Sequence, residues 1–173
     1  MTKEKKEYTN YAFYWGSIIG FATFVWYLIG FFTDFEKKVI FGDIYFFIEV
    51  SLILWMFLRY RRMQEDKKLK FGRMMYMAFI ASLIIAGFYA IYFVVRMTKL
   101  DPLFFSNYVY EVSKAMKSIV GIDYASLINK QNIGIVKVSF IISLYFSSVF
   151  NTMIYALIVA GVIKLNERLY FKQ

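Results

Sequence analysis

The chain has 173 residues, 60% of them hydrophobic and 22% aromatic, with only 19% charged and a formal net charge of +9. A soluble domain carries about a quarter of its residues as charges, whereas here the charges cluster between long apolar runs. With no cysteine and no histidine, disulfides, thiol chemistry, most zinc and haem sites and imidazole-based triads are excluded.

The first element is "AFYWGSIIGFATFVWYLIGFF", residues 12–32, which holds no charge. It matches the roughly 20 apolar residues that a bilayer core requires. It is too long for the apolar core of a signal peptide, and no small-x-small cleavage site follows, so a retained span is expected. Gly16 and Gly20 form a GxxxG pattern. Between helices in lipid there is no hydrophobic force, so association depends on close backbone approach and interhelical hydrogen bonds.

The second span, residues 39–58, carries two carboxylates, Asp43 and Glu49. Glu49 falls near mid-membrane, where an ionised carboxylate costs at least about 2.5 to 3.5 kcal/mol. It is therefore expected to face the bundle interior, either neutral or paired. No Lys or Arg is expected at its depth. The reading is a protonated carboxyl hydrogen-bonded to Ser143, Ser147 or Asn151. Asp43 lies about 9 Å further along the helix, and an interfacial ion pair with Arg96 or Lys137 is expected for it.

A basic linker follows, residues 59–73, "RYRRMQEDKKLKFGR". The third span covers 74–95 and repeats small residues at Ala78, Ser82, Ala86 and Ala90. The segment 96–137 is the only extensive stretch outside the spans. Asp101 suits a helix N-cap and Pro102 the first helical position. Phe105, Val109, Val112, Met116 and Ile119 then recur at helical spacing, Gly121 ends the run, and Asp123 is placed to cap a second short helix through "YASLINK". An amphipathic helical loop on the outer membrane surface is expected, with a docking surface for an extracytoplasmic protein as the sharper alternative. The fourth span, 138–163, carries Ser139, Ser143, Ser147 and Asn151 at intervals of four. These are helix-packing positions or the lining of a polar pathway. The tail covers 164–173.

Of the 21 basic residues, thirteen fall in the N-terminus, the linker and the tail. That asymmetry predicts a multi-pass membrane protein with both termini cytoplasmic. The positive charge then belongs beside anionic lipid rather than nucleic acid. The fold expected is an all-α integral membrane protein, a single domain built as a four-transmembrane-helix bundle.

The order of two spans, "YRRMQEDKKLKFGRMM", a third span, a loop opening "DPLFF" and a long fourth span resembles the bacterial membrane family catalogued as domain of unknown function 4199. The resemblance extends over nearly the whole chain, although "KKL" stands where the family linker has paired glycines. It implies an architecture and no activity, substrate or site residue.

Two functional classes remain. One is a non-enzymatic scaffold or accessory subunit in which Glu49 is a structural hydrogen-bonding group. The other is a small proton- or cation-coupled transporter in which Glu49 titrates. Neither a broken helix nor an internal repeat supports the second. No arrangement provides a nucleophile with its base, so no enzyme is expected. No cofactor or metal is expected either. The partners expected are membrane lipid and another membrane or extracytoplasmic protein, with homo-oligomerisation left open.

Overall fold

A computed structural model describes residues 3–64, 69–121 and 132–170. Among these residues the protein is all-helical, with α1 (Lys3–Phe32), α2 (Ile40–Met63), α3 (Phe71–Val95), α4 (Phe104–Val120) and α5 (Ile133–Tyr170). A 3-10 turn, Phe35–Lys37, joins α1 to α2, and a π turn, Arg96–Leu100, prolongs α3. α1, α2, α3 with its π turn, and α5 are each long and apolar enough to cross a membrane.

The helices extend beyond the apolar stretches that mark the spans. α1 starts among the N-terminal lysines, and α5 runs for 38 residues. Hydropathy locates the part of a helix that lipid can cover. The backbone hydrogen-bond ladder continues into water, because polar side chains there carry no insertion penalty.

α3 lies at the centre of the packing, closely apposed to α1 on one side and α5 on the other. α2 closes the bundle by touching α1 and α5 more loosely, which places it diagonally across from α3. The start of α1 adjoins the start of α3, where the Thr9 and Tyr76 hydroxyls lie 3.4 Å apart. The Tyr11 hydroxyl donates to the Met56 carbonyl near the end of α2 at 3.0 Å. Arg61 and Glu167 approach to 3.8 Å at the ends of α2 and α5. One end of the bundle, the basic end, thus gathers the N-terminus, the linker flanks and the tail. The other, the loop end, holds the two turns and α4.

Gly16 and Gly20 set the α1–α3 spacing. A Cβ on Gly16 would come within 2.9 Å of the Ala81 Cα, and one on Gly20 within 3.2 Å of the Ile85 Cα. Only a missing side chain permits that approach. The core runs from Ala12, Trp15 and Ile19 through Met74, Met77, Ala78, Ala81 and Ile85 to Ala156, Val159 and Ala160.

α4 begins later than its sequence suggests. The Asp101 backbone N–H is bound to the Arg96 carbonyl at 2.7 Å, and the Phe104 N–H donates to the Asp101 carbonyl at 3.0 Å. Asp101 is therefore tied to the π turn and serves the helix through its backbone. Leu103, not Asp101, stands at the N-cap, so Pro102 precedes the first helical position. Phe105 and Ser113 are buried while Val112 is exposed. The inward line on α4 is thus Phe105, Val109 and Ser113, and Val112 does not belong to it. Gly121 ends α4 at φ 73, a left-handed conformation that glycine adopts without steric cost. The side chains of Met116 and Ile119, and the expected short helix from Asp123 through Lys130, lie outside the described residues.

Candidate functional site

Glu49 sits on the inward face of α2 together with Phe41, Ile53, Met56 and Phe57. Its residue exposure is 2%, equal to that of Thr152 on α5. The Thr152 hydroxyl donates to Glu49 Oε1 at 2.5 Å. One turn earlier on α2, the Tyr45 hydroxyl reaches the same carboxyl group. Tyr45 also lies 3.4 Å from the Thr23 hydroxyl of α1, which donates to the Ile19 carbonyl at 2.9 Å. One buried cluster therefore links α1, α2 and α5.

Hydrogen accounting leaves no hydroxyl of this cluster without an acceptor. Thr152 spends its proton on Glu49, and Thr23 spends its own on Ile19. A protonated Glu49 can donate to Tyr45, and Tyr45 can then donate to Thr23. With an ionised Glu49, Tyr45 and Thr152 both donate to the carboxylate, so every hydroxyl finds an acceptor in either protonation state. Among the described residues no lysine or arginine forms an ion pair with Glu49. Beside the cluster, the Tyr27 ring packs on Tyr45 at 5.3 Å, on Tyr89 at 5.1 Å and on Tyr92 at 5.2 Å.

The expected partners of Glu49 stand elsewhere. Ser139, Ser143, Ser147 and Asn151 all lie on the exposed face of α5. The inward line is instead Ser148, Thr152, Ala156 and Ala160, one residue further on. A step of one residue turns a helix by about 100°, so two rows of small residues with the same spacing face different ways. The extension of the second row into Ala156 and Ala160 is the signal that could have selected it. On α3, Ala78, Ser82 and Ala86 are buried and Ala90 is half-buried. The Ser82 hydroxyl donates to its own helix, to the Phe79 carbonyl at 2.8 Å, rather than across the interface.

The expected interfacial ion pair is also different. Asp43 lies exposed in the first turn of α2, and no ion pair among the described residues includes it. Arg96 is bound instead by Glu36 of the 3-10 turn, Nη2 to Oε1 at 2.6 Å and Nη1 to Oε2 at 2.7 Å. Both side chains are 13% exposed. The guanidinium also lies 4.1 Å from the Phe104 ring centroid, a cation–π contact strengthened by the limited water access. Lys137 lies over the Phe105 ring at 5.6 Å. The acid of the short turn was missed because turn geometry, not helical spacing, brings it under the end of α3. At the same turn Asp34 and Lys37 pair at 2.6 Å. That hydrogen bond raises the lysine pKa, although so exposed a pair contributes little to stability.

No group of three or more metal-binding side chains occurs among the described residues. The family of proteins of unknown function DUF4199 matches residues 14–164, most of the chain. The protein belongs to that family. No curated protein and no solved structure matches it.

Proposed function

We propose that this member of the DUF4199 family is a non-enzymatic scaffold or accessory subunit of a bacterial inner membrane, in which Glu49 is a structural hydrogen-bonding group. The observation that supports this reading is the buried polar cluster of Thr152, Glu49, Tyr45 and Thr23, in which the Thr152–Glu49 hydrogen bond joins α5 to α2. The carboxyl is consumed in joining α2 to its neighbours. Towards the basic end the same face of α2 continues with the buried, tightly packed Ile53, Met56 and Phe57, so the cluster has apolar packing beneath it.

The topology proposed has both termini in the cytoplasm, as the basic end favours. α4 then lies on the far side as the surface open to an extracytoplasmic protein. Lys70→Cys at the basic end should stay protected from an impermeant thiol reagent in intact cells, while Ser118→Cys on α4 should react. The reverse pattern would invert the protein.

A transporter is the second reading, favoured by the run of tyrosines from Tyr45 through Tyr27 and Tyr92 towards Glu36 at the loop end. Reconstituted liposomes distinguish the two. A scaffold gives proton flux no greater than empty vesicles at any pH. A pH-dependent flux that disappears in Glu49→Gln while folding is retained would overturn the proposal.

A further inference from the structure

At the basic end, α2 presents an open groove of about 490 Å3 lined by Trp55, Leu58, Arg59, Arg62 and Met63. Trp55 is 54% exposed and Met63 58%, so the groove faces outward from the bundle. Its floor is anchored, because the Trp55 ring meets the buried Trp15 edge-to-face at 5.3 Å. The Arg59 guanidinium lies 5.9 Å from the centroid of that same Trp15 ring. Among the described residues, no carboxylate lies within ion-pairing distance of Arg59 or Arg62. Arg61 differs, since it turns inward to Glu167 at 3.8 Å.

From Trp55 to Arg62 the helix climbs about 10 Å. That rise carries the groove from the apolar depth of the membrane to the headgroup layer. The chemistry changes in the same direction, from indole and Leu58 at the bottom to two guanidinium groups at the top.

We propose that this groove binds an anionic phospholipid. Its phosphate lies between Arg59 and Arg62, and an acyl chain runs down past Leu58 onto Trp55. Guanidinium donors match phosphate oxygens in paired, charge-assisted hydrogen bonds. A zwitterionic lipid is disfavoured because it would bring its own cation beside two arginines. Free phosphate would satisfy the arginines but leave the apolar half of the groove unused. The proposal does not depend on whether the protein is a scaffold or a transporter.

Native mass spectrometry of the detergent-purified protein, supplied with equal amounts of phosphatidylglycerol and phosphatidylcholine, tests it. The expected result is preferential retention of phosphatidylglycerol, undisturbed by inorganic phosphate. Arg59→Gln combined with Arg62→Gln should weaken that retention by roughly tenfold or more, because each removes a charge-assisted hydrogen bond. Lys6→Gln combined with Lys70→Gln removes the same charge at the same end and should change it by no more than about twofold. If the arginine pair variant fails to fold, Arg62→Gln alone serves, since among the described residues its guanidinium lies over no aromatic ring. Equal retention of both lipids, displacement by inorganic phosphate, or equal losses in the arginine and lysine variants would overturn the site. Equal losses would mean diffuse attraction to charge instead.

Discussion

The α1–α3 and α2–α5 interfaces solve the same problem by opposite means. In lipid, apolar side chains gain nothing by leaving their surroundings for one another. α1 and α3 respond with geometry: Gly16 and Gly20 bring the backbones together against Ala81 and Ile85, and dispersion contacts accumulate along the whole length. α2 and α5 stand further apart and rely on chemistry: a buried carboxyl accepts from Thr152 and reaches Tyr45. An interface built on close approach is sensitive to volume and indifferent to polarity. An interface built on a hydrogen bond should be the reverse.

The largest effect should come from breaking the close approach. Gly16→Leu puts a side chain where even a Cβ would lie 2.9 Å from the Ala81 Cα. We expect a loss of about 3 kcal/mol, at the upper end for overpacking, while Phe21→Leu on the exposed face of α1 stays near the parent. Unfolding by heat or by a denaturing detergent measures both. Equal losses would mean that the glycines do not set the spacing.

Next in size is the hydrogen-bonded interface. Glu49→Leu and Thr152→Val should each destabilise by about 1 kcal/mol, the scale of a typical intramembrane hydrogen bond. Removing both should cost clearly less than the sum of the two, because one bond is lost only once. Strict additivity in that double-mutant cycle would remove the bond from the account of α2.

Glu49→Gln sharpens the comparison further. The amide keeps the shape, the acceptor for Thr152 and a donor for Tyr45, so stability should change by less than about 0.5 kcal/mol. A large loss would show that the ionised form is the one held in the cluster.

The smallest effect belongs to the outward row of α5. Ser147→Leu and Asn151→Leu alter exposed positions and should leave stability within about 0.5 kcal/mol of the parent. Ser148→Leu, one residue on and half-buried, should be clearly worse. If Ser147→Leu proves the more damaging, the rotation of α5 is wrong.

The order of these effects follows from features that the sequence reveals unequally. GxxxG in α1 was visible because both glycines lie on one helix and a glycine pair has few other uses in a span. Glu49 stood out because a carboxylate is expensive in a bilayer. Its partner was hidden, since Ser143, Ser147, Ser148, Asn151 and Thr152 all provide suitable polar atoms and adjacent rows look alike.

The sequence by itself determined four segments long and apolar enough to cross a membrane, a basic end, a family and one buried acid that needed a partner. Those properties belong to single helices and to the solvent they meet, and hydrophobicity, charge and helical period encode them along the chain. Only the tertiary structure decided that α3 is central, that α5 turns Thr152 rather than Asn151 inward, and that Glu36 takes Arg96 from Asp43. Each of these depends on how one helix is rotated and positioned against another. In lipid that choice is made by the summed fit of many weak contacts between distant segments, and no local pattern in the chain records it.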